Sequence, residues 1–248
     1  MRPQTDIDRV LELVACGLND CEIARRTGVP RRTILDWRHG RASLDRANRN
    51  RACPGDCRRG LPPRAYAYLL GLYLGDGCLS ATPRTWRLRL ALDATYVGVI
   101  RECVEAMQAV VPVKRAYTLH RRDGNCVEVS MWWNHWPCVF PQHGPGRKHE
   151  RRIALSDWQV SILDGNHEPF VRGLIHSDGC RFVARQRKGA RIWEWPRYVF
   201  SNRSDDIKDL FCWSCDALGV RWTRSAREVA VARRDAVARL DAFIGPKV

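Results

Sequence analysis

"YLLGLYLGDGCLS", residues 68–80, decides how the rest of the chain is read. The run is apolar, yet Gly71 and Gly75 lie four apart in it and it ends on Asp76, wedged between two glycines. Glycine disfavours a helix interior by about 1 kcal/mol relative to alanine, so a plain core helix would carry Ala or Leu at those places. "FVRGLIHSDGC", residues 170–180, repeats the frame: Gly173, four residues, then Asp178, Gly179 and Cys180. The echo predicts an internal duplication built around two acids.

Helical spacing puts Gly71 and Gly75 on one face, and Gly173 and Ser177 repeat that spacing. Small residues on one face let two helix backbones approach closely. Gly77 and Gly179 fit left-handed caps at the helix ends. Asp76 and Asp178 then fall side by side at the shared end. Two close carboxylates repel and raise one pKa, and a divalent cation removes the repulsion. Oxygen ligands with open water positions suit Mg²⁺ or another divalent cation. Such a centre can activate water for phosphodiester hydrolysis.

Each glycine–acid motif opens the same order of segments. Strand-like pairs follow it: "WRLRLALD" in the first half, "FVARQRK" and "PRYVFSN" in the second. Helical patterns come next, "ATYVGVIRECVEAMQAVV" and "DDIKDLFCWSCDALG". Second strand pairs turn at Asp123-Gly124-Asn125 and at Ser225-Ala226-Arg227, and a helical segment closes each half. The expected class is α+β, an αββαββα unit used twice, over residues 64–160 and 161–248. Leu88, Leu90 and Leu92 alternate with Arg87 and Arg89, which predicts a strand with one apolar and one basic face. Arg181, Arg185 and Arg187 alternate likewise in the second half. Basic strand faces can reach phosphates and guanine edges.

The charge points the same way. The 248 residues carry a formal net charge of +15, and Arg outnumbers Lys 37 to 5. Such an excess favours a polyanionic partner, most simply nucleic acid. No run of about 20 apolar residues exists, so no membrane span is expected. The N-terminal residues lack a signal-peptide pattern, which predicts a cytoplasmic protein whose eleven Cys are thiols or metal ligands.

Residues 1–40 read as three short helices. Ile7, Val10, Leu11 and Val14 share a face, Thr5 with Asp8 resembles a capping box, and Asn19 with Glu22 forms another. Gly28-Val29-Pro30 makes a turn into "RRTILDWRHG". Ala24, Gly28, Val29, Ile34 and Trp37 occupy the positions expected of a helix-turn-helix. The stretch resembles that motif in resolvases and bacterial regulators, which implies that the second helix enters the major groove with Arg31, Arg32 and Arg38 toward DNA. Residues 41–63 read as a basic linker. Cys53 and Cys57, spaced C-x-x-x-C within it, are a candidate zinc pair with His39 as a possible third ligand. Cys212 and Cys215 lie on an amphipathic helical pattern and read as packing.

The two motifs and the repeated strand order resemble the LAGLIDADG homing endonucleases in their single-chain, two-repeat form, over about residues 64–245. The resemblance implies that the paired helices form the interface between repeats and that Asp76 and Asp178 bind the metal. It also implies a saddle of two four-stranded sheets over double-stranded DNA, and a monomer. A basic residue near the end of each half assists the reaction in that family, which here points to Lys148 in "GRKHERRIALSDWQ" and Arg233 in "VARRDAVARL". The first motif carries Leu74 where the second carries His176. Some bacterial regulators join a helix-turn-helix to a LAGLIDADG domain that no longer cuts. Two functions therefore stand: a metal-dependent, site-specific DNA endonuclease, or a DNA-binding regulator or architectural protein using the same saddle.

Overall fold

The structure, a computed structural model, describes residues 4–39, 57–121, 124–189, 191–245 and 247. The chain divides into two compact units, Met1–Pro54 and Gly55–Val248. Cys53 and Asp123, and most of the stretch read as a linker, lie outside the described residues.

The first unit holds three helices, α1 (Gln4–Ala15), α2 (Asp20–Thr27) and α3 (Arg31–Arg38). They close over a small core of Ile7, Val10, Ile23, Val29, Ile34 and Trp37. Asn19 caps α2 in a full capping box with Glu22, and Gly28 ends it at φ 68°, a left-handed conformation that costs other residues a steric penalty. Two readings need correction. Thr5 lies inside α1 and not at its cap, and Leu11 turns its side chain toward solvent, since Ile7 and Val10 already fill the seam.

The second unit runs α4 (Pro63–Asp76), β1 (Gly77–Ala81), β2 (Trp86–Asp93), α5 (Val97–Val110), β3 (Tyr117–His120) and β4 (Cys126–Trp132). Short helices α6 (Trp136–Val139) and α7 (Asp157–Leu163) close this half. The order then repeats with α8 (His167–Asp178), β5 (Gly179–Lys188), β6 (Arg191–Ser201), α9 (Asp205–Ala217), β7 (Thr223–Arg224), β8 (Glu228–Val231) and α10 (Arg234–Ile244). The two antiparallel four-stranded sheets have orders β1-β2-β4-β3 and β5-β6-β8-β7. The fold is α+β, two αββαββα repeats.

One continuous core serves both repeats. Leu79, Leu88, Leu90, Val129 and Met131 line the inner face of the first sheet; Tyr198, Phe200, Val229 and Val231 line that of the second. Helices α4 and α8 are buried between them, and their glycines set the approach. A Cβ on Gly71 would stand 2.4 Å from the Phe170 carbonyl oxygen, and one on Gly173 would stand 2.3 Å from that of Tyr68. Backbone lies against backbone here, which only glycine permits. Gly77 and Gly179 are not left-handed caps: both are extended, and each helix passes straight into a strand. Their lack of a Cβ is needed for another reason, because one would strike Tyr73 or Ile175 in the preceding turn.

Candidate metal centre and nucleic-acid interface

The helix pairing carries Asp76 and Asp178 to one end of α4 and α8. Asp178 Oδ2 lies 3.0 Å from where a Gly75 Cβ would sit, so the small residue leaves room for the second repeat's acid. Burial pushes the Asp76 carboxyl up to about 6, and repulsion from Asp178 adds to it. Asp178 is raised as well, by burial, against a 2.6 Å hydrogen bond that its Oδ2 accepts from Asn202 Nδ2. Two half-buried carboxylates, with Asp178 raising Asp76 by repulsion, are a donor set that a hard divalent cation fits.

Lys148 joins them. Its ammonium donates to the carbonyls of Tyr73, Leu74 and Gly75, the last turn of α4, and packs 5.1 Å from the Tyr73 ring centre. The Gly77 N–H also donates to the Tyr73 carbonyl, and Lys148 adds a cation over this last turn, where the helix dipole favours one. Burial lowers the Lys148 pKa to about 8, against the opposing pull of Asp178 and Asp76. A cleft of about 440 Å³ opens at this end, lined by Lys148, Asp178, His143, Arg151 and Arg203 among others.

Arg233 is not brought to the acids. It is exposed, pairs with Asp235 at the start of α10, and is absent from the charges that act on either carboxylate. Lys247 is the second cation there: it acts on both acids and donates to the Gly179 carbonyl. A lysine beyond the last helix has no local pattern to flag it, so sequence reasoning missed it.

The outer face of the first sheet carries Arg87 and Arg89, as their alternation with leucines predicts. Glu128, almost wholly buried, organises that face. Arg87 donates to its carboxylate, Arg121 donates at 2.6 Å, and Arg89 lies 3.9 Å away. Arg87 also stacks 4.6 Å over the Trp132 ring, which meets Tyr117 edge to face. Arginines interleaved with exposed aromatics suit phosphates and base faces.

In the second sheet the basic face was read one residue out of step. Arg181 pairs with Tyr198, and Phe200, Val229 and Val231 share that side, so Arg181, Arg185 and Arg187 point to the core side. Arg181 is engaged there by Asp241 of α10 at 2.7 and 2.9 Å. Arg185 and Arg187 lie on the outer stretch of β5 and are exposed, Arg185 paired with Glu194. The opposite face carries Phe182, Gln186, Trp193, Trp195 and Arg197, with Arg197 over the Phe182 ring at 5.6 Å. In a strand a slip of one residue exchanges the two faces.

In the first unit Arg31 and Arg32 are exposed on α3. Arg38 is not presented to a partner in the same way. It pairs with Asp20 at 2.9 Å and donates to the Leu18 carbonyl, fastening α3 to the start of α2.

Among the described residues no helix is long and apolar enough to cross a membrane. No family model and no curated relative matches the chain. Among solved structures, the chain is similar to the homing endonuclease I-DmoI in complex with DNA and Mn, at 15% identity and TM-score 0.47, over 74% of this chain and 98% of that one. It is similar to the homing endonuclease I-WcaI bound to its DNA recognition sequence, at 11% identity and TM-score 0.46, over 82% and 93%. It is also similar to full-length DUF199/WhiA from Thermatoga maritima, at 13% identity and TM-score 0.47, over 75% and 56%. At these values the likenesses carry no functional weight; the chemistry rests on the residues of this chain.

Proposed function

We propose that the protein is a metal-dependent, site-specific endonuclease acting on double-stranded DNA. The observation that carries the reading is the pair of half-buried carboxylates, Asp76 and Asp178, with Lys148 fixed beside them. One acid comes from each repeat, so both halves must dock for the site to exist. In this reading Asp76 and Asp178 hold Mg²⁺ or another divalent cation. When bound, that cation supplies charge to the phosphodiester oxygens and acidifies water. Lys148 Nζ, held by three carbonyls, keeps a positive charge beside the carboxylates that attracts the phosphodiester, since a pKa of about 8 leaves it mostly protonated at neutral pH. The outer faces of the two sheets form the saddle over the duplex, Arg87 and Arg89 on the first and Arg197 among aromatic rings on the second, and the +15 charge draws the DNA in. Arg31 and Arg32 add a second contact through a helix-turn-helix.

A second reading, a DNA-binding regulator that does not cut, is favoured by one feature. Lys148 and Lys247 already balance the charge of the two acids, so the pair persists without a cation. The deciding experiment incubates the full chain with a randomised duplex library and Mg²⁺, then sequences the cut and the bound pools. Cleavage that disappears in Asp76→Asn and in Asp178→Asn, with binding retained, supports the endonuclease. Enrichment without any cut strand establishes the regulator.

A further inference from the structure

Cys57, His135 and Cys138 lie together at the edge of the second unit, half-buried. Their ligand atoms all fall within 4.8 Å of one another. Among the described residues this is the one cluster of three or more metal-ligating side chains. It involves neither Asp76 nor Asp178 and does not depend on the function proposed above.

Two of the three ligands are set by the fold. His135 precedes α6 and Cys138 sits within it, so the spacing of three puts both on one side of a single turn. That turn is firmly held. Trp136 is fully buried and its Nε1 donates to the Met131 carbonyl at 3.0 Å. The Val139 carbonyl accepts from the Tyr66 hydroxyl at 2.6 Å. The Trp133 ring packs edge to face on His135 at 5.3 Å. Cys57 comes from far away in sequence, on the turn that leads through Leu61 into α4.

The imidazole supplies an independent sign. His135 Nδ1 is buried and has no hydrogen-bond partner. A buried polar atom without a partner costs about 1–3 kcal/mol, and such atoms mark an ion or water that completes the site.

We infer that Cys57, His135 and Cys138 bind a zinc ion that fastens the segment before α4 to the turn after β4. The donor types fit: two thiolates and an imidazole are a soft set that selects zinc over Mg²⁺ or Ca²⁺. The spacing fits as well. Zinc–sulfur bonds of about 2.3 Å in a tetrahedron place ligand atoms roughly 3.8 Å apart, a contraction of at most about 1 Å that side-chain rotation supplies. Binding releases the thiol protons to solvent as the thiolates coordinate. Cys53, four residues before Cys57, lies outside the described residues, and the three ligands above carry the inference by themselves.

The test uses the full chain, purified with reductant and stripped of metal, and Co²⁺ as a spectroscopic probe. One equivalent of Co²⁺ should give thiolate-to-cobalt charge-transfer bands in the near ultraviolet and intense tetrahedral bands in the visible. One equivalent of Zn²⁺ should bleach them. The bands should persist in the Asp76→Asn/Asp178→Asn double variant and vanish in Cys57→Ser/Cys138→Ser. Zinc retained after gel filtration should fall at least tenfold in the thiol variant. Because that variant removes a fastening and not core volume, its circular dichroism should match wild type. Absence of thiolate bands in the wild-type protein overturns the inference whatever the variants do. So does a Cys57–Cys138 disulfide found by mass spectrometry in the reduced preparation, or bands unchanged in Cys57→Ser/Cys138→Ser.

Discussion

Replacing Gly71 with alanine tests the central packing feature by the smallest available change. The added Cβ would lie 2.4 Å from the Phe170 carbonyl oxygen and 2.8 Å from the Leu174 nitrogen. Ordinary contact begins near 3.4 Å, so α4 and α8 must part by about 1 Å. Backbone cannot rotate aside as a side chain can, which puts the cost at the upper end of core overpacking, about 3 kcal/mol. Alanine returns about 1 kcal/mol through its better helix propensity. The net loss is ~2 kcal/mol, a fall in Tm of about 4–8 °C for a unit of this size. Gly173→Ala meets the Tyr68 oxygen and should cost the same. The double variant should cost less than the sum, because one displacement of the helices relieves both clashes. Thermal melts followed by circular dichroism, in chelator, read these values. Gly124→Ala, where a Cβ meets nothing within 4 Å, is the control and should move Tm by less than about 2 °C. An unchanged or raised Tm for Gly71→Ala would refute the close backbone approach.

Two further outcomes are expected. Burial pushes the Asp76 pKa up to about 6 from its ordinary 3.8, so folding disfavours its ionised form. The Asp76 contribution to metal-free stability should therefore be fully present below about pH 4 and be lost, by up to ~3 kcal/mol, as pH rises through 6; denaturant melts of Asp76→Asn should lack this component, and an identical pH profile would show that burial and Asp178 do not raise the Asp76 pKa. Arg31→Ala/Arg32→Ala should weaken duplex binding, shorten the footprint at one end and flatten the plot of log K against log salt by about two phosphate contacts; an unchanged footprint and slope would assign α3 to another partner.

The frame of glycines and acids was legible because steric need and charge both leave traces in residue type. Only glycine fits where a Cβ would stand 2.4 Å from a carbonyl, and a hard divalent cation draws on carboxylates. The first sheet was legible for a similar reason: Leu88, Leu90 and Leu92 are all buried, so composition and face agree. The second sheet was not. Arg181, Phe182 and Val183 present charge and apolar surface on both faces, and only pairing with Tyr198 and Phe200 shows which side is inner. Lys247 and the Cys57–His135–Cys138 cluster depend on contacts between segments distant in sequence, which spacing does not encode. Arg38 and Arg233 each pair with an acid, Asp20 or Asp235, that is visible in the sequence, while the pairing itself is not.

The cluster around Glu128 makes the two halves unequal as surfaces. Three guanidinium groups share one buried carboxylate, and an indole ring backs one of them. Their rotamers are ordered in the folded chain, so docking against them freezes little more. Across the other sheet Arg185 pairs with Glu194 in the open, and Arg197 reaches Glu228 at only 3.8 Å. Arg197 is covered by the Phe182 ring, but Arg185 stands 73% exposed and is held by an exposed acid alone. One half thus gathers its guanidinium groups around a single buried anchor, and the other spreads them among separate acids.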